Sequence, residues 1–282
     1  MRDRISNVLK RKIPNLYYQA RHLRDKIDII RQKIIPFYYN EKRYSNTFLI
    51  HSVQHGQIKL PLERVIYCFW TGDNPLTENR QRGLASLQQN TGVKLILVTP
   101  NNLKDFILPD FPLHPAYEYL SLIHRADYLR CYFMHHYGGG YADIKPFNYS
   151  WIPAFEQIEK NAAYYIVGYT EIRKNAVANV GGVLVDDMRK YYTKILGNGA
   201  YICRAMSPFT SEWFAEVNKR LDHHLPALKR YGYFPEDYKG QRSGYPIPFL
   251  SILGEIFHPL CLKYHKKLLH NQKLIPDLHN YQ

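Results

Sequence analysis

Cysteine is scarce in this chain of 282 residues, and no apolar run is long. The four cysteines, Cys68, Cys131, Cys203 and Cys261, stand far apart with no C-x-x-C pairing, which argues against a zinc ribbon or a disulfide framework and favours a reducing compartment. No window approaches the ~20 apolar residues of a spanning helix, which excludes a helical integral membrane protein. The opening residues 1–12 lack the apolar h-region of a signal peptide, so the expected location is the cytoplasm. Internal repeats and low-complexity tracts are also missing. Hydrophobic residues at 45% and charged residues at 22% exclude a disordered chain, and the length allows one large domain or a core domain with decoration.

Acid is in short supply: 24 Asp and Glu face 38 Lys and Arg, a net +14. Residues 1–35 hold ten Lys and Arg against Asp3, Asp25 and Asp28, a net +7 and half of the total. Such a surplus attracts polyanions, whether nucleic acid, anionic headgroups or nucleotide diphosphates. In the same stretch Leu16, Ala20, Leu23, Ile27, Ile30 and Ile34 recur at steps of four and three between Pro14 and Pro36, the pattern of an amphipathic helix. It has three readings: docking on the main domain, a short coiled-coil seam, or a basic helix lying on an anionic membrane at its inner, cytoplasmic face. The expected organisation is a basic helical extension over 1–60 and a main domain over 61–282.

In the main domain, Val65 to Trp70 is a buried strand that stops at Thr71-Gly72-Asp73-Asn74-Pro75. Residues 77–89 have helical character, and Val93 to Val98 is a second strand. Together they make a βαβ unit, in which ligands sit at the carboxyl ends of the strands. Trp70 and Asp73 fall at that edge. The pattern predicts one helix over 115–137, stopped by Gly138-Gly139-Gly140 as a flexible turn, then an extended piece from Tyr141 to Pro146. Strands are expected at Ala162–Tyr169 and Gly182–Val185, a helix at Glu212–Leu225 and a mixed segment over Ile247–Phe257.

No phosphate-binding G-x-x-x-x-G-K, dinucleotide G-x-G-x-x-G, H-E-x-x-H or G-x-S-x-G motif occurs. Adjacent histidines, His135-His136 and His223-His224, would point about 100° apart on a helix, so neither pair makes a two-histidine metal site. One constellation stands out. Asp127 and Arg130 are three apart on a helix and share a face, while the glycine turn brings Asp143 back toward that helix's carboxyl end. The set offers an acceptor for hydroxyls, an arginine for phosphate or sugar oxygens, and a carboxylate at a strand end able to ligate a cation. The plain alternative is a structural Asp–Arg pair beside a glycine-rich turn.

The order R-A-D-x-x-R (Arg125–Arg130) followed by G-G-x-Y-x-D (Gly138–Asp143), with F-W-x-G-D-N-P (Phe69–Pro75) upstream, resembles the sugar-nucleotide-binding region of DXD-containing glycosyltransferases of the glycosyltransferase family 32 type. That group includes bacterial capsule-synthesis transferases and the related glucosylating toxins. The resemblance covers about residues 64–147 and continues less specifically through Gly199–Cys203, Ser211–Trp213 and Tyr245–Pro259. It implies an α/β fold of the GT-A type, a Rossmann-like mixed sheet flanked by helices, and transfer of a sugar from a nucleotide-sugar donor to a hydroxyl of a saccharide or lipid-linked saccharide acceptor in surface-polysaccharide synthesis. By position, Trp70 would lie near the base, Asp127 would accept from donor-sugar hydroxyls, Arg130 would hold sugar or phosphate oxygens, and Tyr141 would contact the diphosphate. Asp143 would be the first acid of the DXD-like site, which in this family binds Mn²⁺ or Mg²⁺. Here the sequence departs from the family, because Lys145 replaces the second acid and its ammonium opposes a cation. Lys145 could instead stabilise the leaving diphosphate. By the same resemblance His258 is a candidate for a last metal or phosphate contact, and Glu255 and Glu212 are candidate bases or acceptor contacts.

Two readings compete with the transferase. A nucleic-acid-binding protein follows from the charge, although no nucleic-acid-binding motif supports it. A catalytically inactive sugar-binding protein of the same fold follows from the Asp143-Ile144-Lys145 departure.

Overall fold

The computed structural model describes residues 35–51 and 53–278, and within 23–34 only Leu23, Ile27, Ile30, Gln32 and Ile34. Leu16 and Ala20, the start of the expected amphipathic helix, lie outside the described residues.

Among the described residues six strands form one mixed sheet in the order β2-β1-β3-β5-β4-β6. Val65–Phe69 (β1) pairs in parallel with Lys94–Val98 (β2) on one side and Gly139–Ala142 (β3) on the other. Leu196–Cys203 (β5) runs antiparallel to β3 and to Ile166–Thr170 (β4), and β4 pairs in parallel with Leu268–His270 (β6). All five β1 residues are buried, as a strand covered on both faces requires. Ile66 and Cys68 pack against Leu87 of Glu78–Asn90 (α1) and Phe155 and Ile158 of Ile152–Glu159 (α3). Val65, Tyr67 and Phe69 face the opposite layer, where Phe133 of Leu122–His136 (α2), Met188 of Gly182–Lys190 (α4), Trp213 of Pro208–Tyr231 (α5) and Phe257 of Gly254–Lys263 (α6) meet. Helices on both faces of a mixed sheet make this an α/β fold consistent with a Rossmann-like architecture.

The βαβ unit forms where expected, with Thr77 capping α1 by accepting from the Arg80 amide. Elsewhere the chain departs from the pattern. The helix expected over 115–137 divides into a short 3-10 turn, Pro115–Tyr119, and α2, because Leu120 is extended and the Ser121 hydroxyl starts a new helix. The first strand of the second half begins only at Ile166, since the Asn161 side chain holds the Ala163 amide in a turn. Residues 182–185 are the start of α4, not a strand: Leu184, Val185 and Met188 bury one helical face that the short apolar run alone did not distinguish from a strand.

The glycine triplet is no flexible turn. Gly139 and Gly140 belong to β3, and Gly138 and Gly139 take positive φ, +69° and +80°. A side chain at Gly140 would stand 3.0 Å from Trp151, and one at Gly138 would stand 2.8 Å from the Ala205 amide. Glycine is needed there for close approach. All four cysteines are free and buried.

Residues 35–51 pack on the domain. Phe37, Tyr44 and Leu49 join the core, and the Asp187 carboxylate takes Arg43 and the Tyr44 hydroxyl. No helix among the described residues is long and apolar enough to cross a membrane.

Candidate functional site

The sheet order changes direction between β1 and β3: the chain leaves β1 outward to β2 and returns across it to β3. At such a switch point the connections part and leave a crevice at the carboxyl ends of the strands. Trp70 and Thr71 follow β1 into it, and Asp143 follows β3. The Trp70 indole N–H donates to the Asn74 carbonyl at 2.7 Å, which closes the turn and leaves the half-buried ring faces for packing. The amino end of α1 opens beside the same edge. Its Arg80 donates to the Ile144 carbonyl at 2.7 Å, and a side chain at Gly83 would meet the Lys145 backbone at 3.0 Å, so the loop after β3 rests directly on α1.

Into this crevice α2 projects Asp127 and Arg130 from one face, 3.1 Å apart and both buried. The Arg130 guanidinium also donates to the Asn198 carbonyl at 3.1 Å, lies 4.4 Å over the Tyr141 ring, and stands 3.8 Å from Asp143. The Tyr141 hydroxyl donates to one Asp143 oxygen at 2.6 Å, and the Lys145 ammonium donates to the other at 2.7 Å. Asp127, Arg130, Tyr141, Asp143 and Lys145, five of the residues expected to act together, therefore form one connected cluster. Lys145 points into it, because the chain turns after Asp143, with the Lys145 amide bonded to the Asp143 carbonyl at 2.7 Å.

A bulge in β5 completes the cluster. Between the pairs Gly168–Tyr201 and Thr170–Leu196, two steps along β4 are matched by five along β5. The surplus falls at Gly197-Asn198-Gly199, which turns the Asn198 carbonyl to Arg130 and the Gly199 carbonyl to the Asp143 amide at 2.8 Å. The Tyr169 ring occupies the space that a side chain at Gly197 would need, and its hydroxyl bonds the Gly199 amide at 3.2 Å. Asn198, Tyr169 and Arg80 were not singled out from the sequence. The Gly-Asn-Gly triplet was the available signal, since it interrupts an otherwise apolar strand.

Burial would raise the Asp143 carboxyl, but the charges of Lys145 and Arg130 and the hydrogen bonds from Lys145 and Tyr141 outweigh it and hold the group below its usual value. Asp127 behaves oppositely: burial pushes it up to about 6 against the pull of Arg130. Burial also drives the Tyr141 phenol well above its ordinary value, so it remains a donor to Asp143. Arg130 Nε, Asn198 Oδ1 and the Tyr201 hydroxyl are buried at the cluster without a partner. Donors and acceptors left open around one cluster suit a ligand that carries both kinds of group.

A divalent cation does not fit these donors. It would need the Asp143 oxygens, one already held by an ammonium and the other by a phenol, with a guanidinium at 3.8 Å. Two fixed cations already balance the two acids, so a further +2 would meet repulsion with no uncompensated carboxylate to offset it. Among the described residues no three His, Cys, Asp or Glu side chains converge as a ligand set.

The remaining candidates lie elsewhere. Glu212, near the amino end of α5, receives Lys263 on both oxygens at 2.8 Å and the Tyr264 hydroxyl at 2.7 Å. That helix follows the carboxyl end of β5, which pairs with the amino end of β3, so Glu212 sits toward the opposite edge of the sheet from Asp143. Glu255 faces Arg220 at 3.3 Å. His258 is buried on α6, where its Nδ1 accepts from the Ala178 amide at 2.9 Å. That bond places the proton on Nε2, which points toward Glu171 at 3.7 Å, leaving no lone pair there for a metal. Burial lowers its pKa to about 4, so it is neutral. The structure does not bring Glu212, Glu255 or His258 into the cluster around Asp143. No protein-family model matches the chain, and no curated protein matches it.

Proposed function

We propose that the protein is a nucleotide-sugar-dependent glycosyltransferase of the GT-A type, which passes a sugar to a hydroxyl of a saccharide or lipid-linked saccharide in surface-polysaccharide synthesis. The observation that carries this reading is the buried Asp127–Arg130–Asp143–Lys145 network at the switch point, with guanidinium and ammonium both turned toward one carboxylate. A donor sugar presents hydroxyls, which suit Asp127, and a diphosphate, which suits Arg130 and Lys145. Trp70 offers a ring face to the base.

In the transfer step the bond between the anomeric carbon and the β-phosphate oxygen breaks, and its electron pair leaves with the nucleoside diphosphate. The acceptor hydroxyl oxygen bonds to the anomeric carbon and releases its proton to water. Charge therefore develops on the leaving oxygen, where Arg130 and Lys145 stabilise it. Asp143 is a positioning residue in this scheme: it fixes Lys145 and Tyr141 and, through the Tyr141 ring, the plane of Arg130. No step requires a metal.

A panel of nucleotide sugars, with release of nucleoside diphosphate measured in chelator and in Mn²⁺, tests the reading. Release from one donor and incorporation of its sugar into a saccharide support it, whereas no release from any donor opposes it. The second reading, an inactive sugar-binding protein, draws on the engagement of both Asp143 oxygens. Tight donor binding without release of diphosphate would favour it.

A further inference from the structure

Outside the cluster, the most distinctive surface is centred on Phe37. This ring is buried between Tyr191 and His265, each with its centroid 5.0 Å away, and it pins the segment to the domain. The residues beside it point outward: Ile34 is 73% exposed, Tyr38 is 70% exposed, and Ile35 is exposed as well. Farther back Leu23, Ile27 and Ile30 have helical backbone, and steps of four, three and four place them on one face with Ile34. All of them are exposed. An apolar row of this length open to water marks an interaction surface.

Charge decides what that surface meets. On one side of Phe37 a groove of about 260 Å³ is lined by Arg189 and Lys190. On the other side a groove of about 290 Å³ is lined by Lys266 and Lys267, with the Lys266 ammonium 5.4 Å over the Tyr38 ring. Of the acids nearby, Asp187 holds Arg43 and Glu212 holds Lys263, while Glu41 is exposed on the same segment and is outnumbered by Arg189, Lys190, Lys266 and Lys267. Residues 1–35 add a net +7. A second copy of this chain would bring the same cations against these, and like charges across an interface oppose association. Apolar side chains between cationic grooves suit a layer with an acyl interior and an anionic rim.

We infer that this face docks the protein on an anionic phospholipid bilayer, with Ile34, Ile35 and Tyr38 entering the headgroup boundary and the flanking lysines and arginine taking lipid phosphates. This surface stands apart from the Asp143 cluster, so its test does not depend on turnover.

The full chain is sedimented with vesicles of phosphatidylglycerol and phosphatidylcholine in equal parts, and with phosphatidylcholine alone, at low and high salt. Binding should require phosphatidylglycerol and weaken with salt. Replacing Ile34 and Ile35 by Ser should lower partitioning roughly tenfold or more, because apolar burial is lost. Lys266→Glu with Lys267→Glu should do so by a similar factor. Both pairs leave Phe37 in place, and circular dichroism checks the fold. Equal binding to phosphatidylcholine alone, or unchanged binding by both variants, would overturn the inference. So would a dimer in light scattering that the Ile34→Ser, Ile35→Ser variant abolishes while the wild type ignores vesicles, because a second copy would then cover the face.

Discussion

Replacing Lys145 by Ala gives the sharpest test of the chemistry proposed for the cluster. Its ammonium lies 2.7 Å from Asp143 in a site where its side chain is about nine-tenths buried. An ammonium ~4 Å from a leaving oxygen, at an effective dielectric of ~20, stabilises a full developing charge by ~4 kcal/mol. At ~1.4 kcal/mol per decade that is about a thousandfold in rate. Asp143 offsets part of it, and Arg130 remains, so the expected loss in kcat is ~10²-fold, the scale measured when one oxyanion donor is removed. The backbone should hold, because Gly83 abuts it and Arg80 bonds the Ile144 carbonyl.

The assay is nucleoside-diphosphate release in chelator, with a thermal melt as the folding control. Lys145→Ala should lose kcat with a smaller change in donor KM, since the charge is needed most in the transition state. Lys145→Asp should do more than lose rate. It frees Asp143 and adds a second carboxylate, so its activity should rise with added Mn²⁺ or Mg²⁺. The reasoning fails if the wild type loses all activity in chelator, regains it with Mn²⁺, and Lys145→Ala turns over normally.

Asp143→Asn removes the charge that fixes both cations, and it should reduce turnover at least as far as Lys145→Ala; a folded variant with full turnover would place Asp143 outside the machinery. With Asp127 raised to about 6, kcat/KM should fall as pH drops through that value, because protonation turns its acceptor into a donor, and Asp127→Asn should lack this acidic limb. Glu212→Ala leaves the part-buried Lys263 with the Leu49 carbonyl but no carboxylate and should cost about 1–3 kcal/mol in denaturant unfolding, while a donor KM that stays near wild type would confirm its distance from the site. Gly197→Ala drives a methyl group into the Tyr169 ring and should destabilise by ~1–3 kcal/mol, with partial recovery when Tyr169 is shortened to Leu.

What could be read directly from the sequence was local. A continuous apolar run ending in Thr-Gly-Asp-Asn-Pro located β1, and the helical character of residues 77–89 located α1, because each signal lies within the element it specifies or a few residues from it. Asp127 and Arg130 were legible for the same reason, since helical spacing alone puts them on one face. The second half resisted because its decisive partners are remote. Val183–Val185 is equally apolar in a strand or a helix, and only packing against α6 and the turn at Gly181 and Gly182 selects the helix. Gly138–Gly140 reads as a turn until Trp151 and the Ala205 backbone are seen to press against it.

The direction of Lys145 could not be settled from strand alternation, and the reason bears on the chemistry. Alternation would send residues 143 and 145 to one face only if the strand continued, yet β3 ends at Ala142. The bulge in β5 then binds the Asp143 amide through Gly199, and the turn that follows folds Lys145 back onto the carboxylate. A residue that departs from the pattern of a metal-binding pair is thus held in the position where its charge opposes a metal. The same contact supplies a cation beside a guanidinium that three other groups already orient: Asp127, the Asn198 carbonyl and the Tyr141 ring. An enzyme that stabilises a leaving diphosphate with fixed side chains needs its cations rigid before the substrate arrives, because preorganisation avoids reorganisation during the step. Burial, the β5 bulge and the glycine contacts of α1 provide that rigidity, which ties the departure at Lys145 to the packing of the sheet edge beneath it.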